Sequence, residues 1–161
     1  MRQTNKEKHG KNTTSKDNER RLRLAYCIAS CMVFLGGVAI YAFLRDINNM
    51  VLFHFFPKIP FLSTLYIPVK TDAIWLNMFF YNLPDGLWCL SGLLLVRATW
   101  LANTGWRVIY GGIFIVIALS FEIAQLSDNI PGTVDVLDLV FMGFFAFLES
   151  IIFNMFIRRY L

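Results

Sequence analysis

Apolar and polar positions in this chain do not alternate; they come in long blocks. After a polar opening of about 23 residues, four apolar stretches cover roughly 24–44, 74–100, 108–128 and 134–157. A helix needs about 20 mostly apolar residues to cross the hydrocarbon core of a bilayer, and each block reaches that length. The pattern predicts an all-α polytopic membrane protein with four transmembrane helices. Residues 24–161 would form the membrane domain. Residues 1–23 are too polar and basic to build a core, so the composition predicts a disordered tail there. The apolar run that follows the tail is too long for a signal-peptide core and lacks a convincing small-x-small cleavage site, so it reads as a retained first span.

The second block departs from the simple pattern at YNLPDGLW, residues 81–88, where Asn82, Pro84, Asp85 and Gly86 interrupt apolar sequence. Thr71–Asp72 looks like a helix start, and apolar residues continue to Leu101. One helix over that range would measure about 45 Å at the usual rise per residue, against about 30 Å of hydrocarbon. Proline also removes a backbone donor and crowds the carbonyl four residues earlier, here that of Phe80. A helix break or sharp kink at Asn82, Pro84 and Gly86 is therefore expected. It would leave a short interfacial helix over 72–81 and a second span over 84–101. Ahead of it, the connection 46–72 carries the apolar run MVLFHFF and Pro57, Pro60 and Pro68. Together 46–83 would lie along the outer interface, its aromatics among the headgroups, with His54 a bystander.

Charge sets the orientation. The chain is 57% hydrophobic and only 16% charged, with a formal net charge of +4. Twelve of the 15 basic residues fall in the tail, in the connection holding Arg97 and Arg107, and at Arg158–Arg159, whereas Arg45, Lys58 and Lys70 fall on the other side. The positive-inside bias then places both termini in the cytoplasm. This distribution suits anionic lipid better than nucleic acid. Trp100, Trp106 and Tyr110 mark the cytoplasmic edge. Cys27, Cys31 and Cys89 all lie within spans, where they read as small packing residues rather than as a disulfide or metal pair. No motif points to a metal or a cofactor.

Topology then gathers the ionisable residues. Asp85 falls at the outer start of span two, Glu122 and Gln125 at the outer end of span three, and Asp135 and Asp138 at the outer start of span four. Each helical pair is spaced i, i+3, so its members share a face. Carboxylates at membrane depth are costly unless protonated, hydrated, paired or bound to a cation, and they default to a functional hypothesis. The plain alternative is helix capping and hydration near the interface, strongest for Asp85 and Asp135. Glu149 lies much deeper and either pairs with a basic residue at the cytoplasmic edge or snorkels toward it. Ser91–Gly92 has no histidine in another span to serve as base, which excludes an intramembrane serine protease. Asp85–Gly86 lacks the Ala-Arg and later aspartate spacing of phosphatidyl-alcohol transferases.

In layout the chain resembles the VanZ-like family of small bacterial membrane proteins. The shared features are Asp85 in PDGLW, Glu122 and Gln125 in FEIAQ, and Asp135 and Asp138 in PGTVDVLDL, spanning roughly 84–145. It departs from the family's usual pattern at Thr133, where an arginine is common, at Trp88, near a common histidine, and at Met142, near a common asparagine. The resemblance implies a location in the bacterial cytoplasmic membrane and a role at its outer face. One family member is associated with low-level glycopeptide resistance. The expected partners are membrane lipids and a lipid-linked or cell-wall ligand, and the small number of spans leaves room for a homo-oligomer. Two other functions fit the same residues: a membrane enzyme using Glu122 or Asp138 as acid or base, and a small proton-coupled carrier built on a broken helix at Asp85.

Overall fold

Long runs of Leu, Ile, Phe and Val with no internal partner strand can satisfy their backbone in a bilayer only as helices. The computed structural model describes residues 3–44, 74–125 and 135–160, and these are almost wholly helical. The elements are α1 (Gln3–Leu44), α2 (Ile74–Thr99), α3 (Thr104–Ala124) and α4 (Val136–Tyr160). Each contains a stretch long and apolar enough to cross a membrane: Lys16–Tyr41, Trp75–Thr99, Thr104–Ala124 and Val136–Phe153. The all-α, four-span architecture expected from the hydropathy blocks is present. The apolar connection 46–72, with Lys58 and Lys70, and the turn containing Thr133 lie outside the described residues.

Two expectations need correction. The polar start of the chain is helical from Gln3 onward rather than structureless. Extending an existing helix fixes one residue per added hydrogen bond and needs no new nucleus. Only the part nearest the span is rich in good helix formers (Lys16, Glu19, Arg20, Arg21, Leu22, Arg23), and Glu19 and Arg23, one turn apart, form an ion pair at 2.8 Å. Arg23 also donates to the carbonyls of Thr99 (2.8 Å) and Ala98 (3.4 Å). Those carbonyls end α2 and lack helical donors of their own, so a cation there both caps α2 and complements its dipole.

The second correction concerns Pro84. Helix α2 runs unbroken for 26 residues with Pro84 inside it, so 74–81 is the first part of the second span and not a separate interfacial helix. Two local features make this tolerable. Asn82 folds its side-chain amide back onto the Met78 carbonyl at 2.7 Å, adding a bond in the turn just before the one that proline weakens. Asn82 and Pro84 are also among the most completely buried side chains in the molecule, so neighbouring helices hold the segment while it bridges the missing bond. The length objection fails as well. At about 39 Å, α2 simply exceeds the hydrocarbon thickness, which tilt or protrusion accommodates at modest cost.

Helix α2 is the hub, and its main contacts run to α1, α4 and α3. Bilayer helices gain little from hydrophobic transfer and associate through close packing of small residues. Gly86 and Gly92 show this directly. A Cβ at Gly86 would collide with the Phe145 ring of α4, and one at Gly92 with the Phe114 ring of α3. A buried cluster of Cys89, Leu93 and Met142, flanked by Phe114, Ile115, Ala118, Leu119 and Ala146, joins α2, α3 and α4. A second cluster, Tyr26, Ala98, Leu101 and Phe153, joins α1, α2 and α4 one level further along. The large apolar side chains left exposed, among them Val108, Val116 and Phe121 on α3 and Phe144 and Phe147 on α4, are those a bilayer would cover.

The α2–α3 connection is short and specific. Asn103 sits in extended backbone (φ −116°, ψ 97°) and accepts from the Trp106 N–H, capping α3. Trp100 stacks on Tyr110 with centroids 5.1 Å apart and planes 5° from parallel. Trp106 lies against both rings. The three aromatics read as an interface marker thus form one patch.

Candidate functional site: two polar ends of one helical seam

Among the described residues, the buried polar side chains Asn82, Glu122, Asp138 and Glu149 lie at the two ends of the apolar seam, while Ser30 and Ser91 lie between them, Ser30 donating to the Ser91 carbonyl at 2.8 Å. At the end near Arg97, Glu149 of α4 is 4% exposed and receives both a 2.5 Å bond from Arg97 Nε and a 2.9 Å bond from Nη2. This two-pronged geometry suits a guanidinium and a carboxylate. The Arg97 guanidinium lies 3.6 Å from the centroid of the Phe153 ring, and Arg107 lies over the same ring at 4.3 Å. Arg107 also donates to the Leu101 carbonyl at 3.1 Å. The basic partner for Glu149 is therefore Arg97, and Arg107 adds a second cation beside this two-pronged pair.

At the other end stand the predicted acids. Each lies one turn beyond a member of the apolar cluster, on the same helix face: Asp85 before Cys89, Glu122 after Ala118, Asp138 before Met142. Their depths also agree. Helix α2 is antiparallel to α3 through the Gly92–Phe114 contact, and Asp85 and Glu122 lie about two turns from that contact in the same direction. Helix α2 is parallel to α4 through Gly86 with Phe141 and Phe145 and through Arg97 with Glu149. One turn outward from Gly86, that register sets Asn82 opposite Asp138. Asn82, Asp85, Glu122 and Asp138 thus occupy one level.

Their environments differ. Glu122 and Asp138 are buried, at 6% and 5% exposure, whereas Asp85 is half-buried. Tyr41 of α1 donates its hydroxyl to Asp85 Oδ1 at 2.6 Å, and Trp88 supports the phenol ring edge-on at 6.1 Å. Asp135 has a local role: its carboxylate accepts from the Leu137 N–H at 2.9 Å at the start of α4, as the capping alternative anticipates. Gln125 ends α3 as its C-cap, with its side chain half-buried. Among the described residues, no three His, Cys, Asp or Glu side chains gather closely enough to hold one metal ion. Cys27, Cys31 and Cys89 are free thiols.

Three participants escaped the sequence reading. Tyr41 lies 44 positions from Asp85, and nothing local marks it as a partner. Arg97 has no sequence signal tying it to Glu149. Asn82 was read only as part of a helix break, yet it is 1% exposed and its Oδ1 is buried without a hydrogen-bond partner. A lone asparagine two residues before an intrahelical proline was the available hint. The departures from the VanZ-like pattern also acquire settings. Met142 lies in the apolar cluster, and Trp88 packs between Phe34 and Tyr41. No family model, curated protein or solved structure matches the chain.

Proposed function

We propose that this is a VanZ-like protein of the bacterial cytoplasmic membrane, with both termini in the cytoplasm, that acts on cell-envelope material at the outer membrane face and contributes to glycopeptide tolerance. The observation that carries the proposal is the shared level of Asp85, Glu122 and Asp138 on seam-facing stripes, at the end opposite the Arg97–Glu149 pair. Carboxyls at membrane depth mark function more often than structure, and Gln125 and Asp135 border the same end.

The carrier reading drew its support from a broken helix at Pro84; α2 is continuous there, which removes that support. A membrane enzyme acting on a lipid-linked substrate remains the second reading, favoured by the burial of Glu122 and Asp138, either of which could serve as general acid or base.

Cysteine accessibility in intact cells tests the proposal. Cys27, Cys31 and Cys89 would first be replaced by alanine, and single cysteines placed at positions 85, 122 and 138. The expected result is labelling of all three by an impermeant maleimide added outside, together with loss of glycopeptide tolerance in Asp138→Asn at normal protein levels. Labelling of the three from opposite sides, or unchanged tolerance in Asp138→Asn and Glu122→Gln, would overturn it. The enzyme reading adds that Glu122→Gln or Asp138→Asn abolishes turnover of a lipid-linked substrate while ligand binding survives.

A further inference from the structure

Asn82 carries information that the acids alone do not. Its amide has two ends, and one of them is assigned by chemistry. The Met78 carbonyl can only accept, so the atom 2.7 Å from it is the NH2 group. The oxygen is therefore the other end: a fixed acceptor, fully buried and without a hydrogen-bond partner. Leaving a buried acceptor unsatisfied is costly, so the site favours a donor. On α2, Asn82 points between the direction of Gly92, which faces α3, and that of Gly86, which faces α4. Glu122 and Asp138 lie on those two helices at the same level. Helix rotation and register thus set Asn82 on the side of α2 that faces the seam between α3 and α4, at the level of the two acids, and α3 and α4 touch each other little beside their contacts with α2.

We infer that this end of the bundle binds the ammonium group of a membrane-partitioning primary amine, with Asn82 Oδ1 as one acceptor and the carboxylates of Glu122 and Asp138 as counter-charge. The inference rests on the reading of these acids as one site and names the ligand chemistry of that site. An ammonium has three N–H donors and no acceptor, which complements a carbonyl oxygen flanked by carboxylates. The walls suit an apolar body attached to the cation. The rings of Phe79 on α2 and Phe141 on α4, three positions from Asn82 and from Asp138, meet edge-on at 5.5 Å, and aromatic faces attract cations. The shared chemistry, a primary ammonium on an apolar stem, could be supplied by the headgroup of phosphatidylethanolamine or by a free amphiphilic amine.

The test uses the full chain in nanodiscs of phosphatidylglycerol, with n-octylammonium as probe and thermal stabilisation as readout. Octyltrimethylammonium, which keeps the charge and loses the N–H donors, and neutral octanol are the controls. Octylammonium is expected to stabilise the protein at concentrations where neither control does. Asn82→Leu, which removes the unsatisfied oxygen at similar volume, is expected to weaken octylammonium binding about tenfold, the weight of one hydrogen bond to a charged group. Asn82→Asp, which keeps an acceptor, is expected to retain binding, and Asp138→Asn to weaken it. Nanodiscs of phosphatidylethanolamine separate the sources: weaker apparent probe affinity there identifies the lipid headgroup as competitor, and unchanged affinity identifies a free amine. Equal stabilisation by the quaternary ion or by octanol would overturn the inference. So would full affinity in Asn82→Leu, the result expected if only water occupies the site; if that variant does not fold, loss of binding in Asn82→Asp is the overturning result. Because the assay uses purified protein, it is independent of topology and drug tolerance, so failure of the function proposal in cells and failure of amine binding are separately visible.

Discussion

The two ends of the seam bury the same kind of group in different surroundings. Both bury carboxyl groups among helices that a bilayer would surround. At one end, Glu149 meets Arg97 in a two-pronged ion pair and Phe153 covers the guanidinium. At the other, Glu122 and Asp138 share a level with Asp85, which takes its bond from a neutral phenol, and with an asparagine oxygen that has no partner. A charge neutralised within the fold is a structural fastener. An end rich in acceptors is where a ligand's donors would do most. The same residue type, buried to the same degree, therefore carries different expectations according to what faces it.

Breaking the fastener should give the largest effect. Glu149→Ala leaves Arg97 without its counter-charge in a buried setting and should cost about 3–5 kcal/mol, read as a large fall in the unfolding midpoint of the purified protein. The double variant Arg97→Met, Glu149→Leu should recover most of that loss, because apolar side chains of similar volume replace a buried pair without strong penalty. Recovery would show that the loss in Glu149→Ala comes from the uncompensated Arg97 charge.

The close contact between the ends comes next. Gly86→Leu drives a side chain into Phe145, and overpacking of this kind should cost about 1–3 kcal/mol. Gly112→Leu is the control, since nothing lies within 4 Å of a Cβ there, and it should leave the midpoint nearly unchanged.

At the acidic end, Tyr41→Phe removes the hydroxyl that Asp85 accepts from and should destabilise by about 1.5 kcal/mol, the lower range for a hydrogen bond to a charged group. A clearly larger loss would mean that Asp85, too, serves mainly as a fastener, and the contrast between the ends would weaken. The smallest effect lies outside the seam. Asn103→Ala removes the α3 cap and should cost about 1 kcal/mol without altering ligand binding, which makes it a gauge of general destabilisation.

What could be read from the chain follows the range of each interaction. Four hydropathy blocks were enough for four helices, because satisfying the backbone in a bilayer is a local requirement that each block meets by itself. The i, i+3 spacing of Glu122 with Gln125 and of Asp135 with Asp138 was likewise local. The capping bond of Asp135 to Leu137 involves residues two positions apart, and such a bond is legible for that reason. Pro84 misled because the local rule, that proline ends a helix, was applied where burial by neighbouring helices and the Asn82–Met78 bond outweigh it. The polar start of the chain misled for the reverse reason. Its composition is that of a chain unable to fold alone, but it continues a helix that the next segment nucleates.

By itself, the sequence determined the helical class, the number of membrane-length segments, the clustering of basic residues at span ends and the identity of the acids near the opposite ends. Only the tertiary structure decided that α2 is the hub, that Arg97 rather than another arginine neutralises Glu149, that Tyr41 serves Asp85, and that Asn82 presents a buried oxygen at the level of Glu122 and Asp138. The division has one physical cause. Helix formation and bilayer compatibility depend on residues within a turn or two of each other, whereas the pairing of buried polar groups depends on helix rotation and register. Those are set by where Gly86 and Gly92 let rings approach α2, a contact between segments far apart in the chain that no single window of sequence contains.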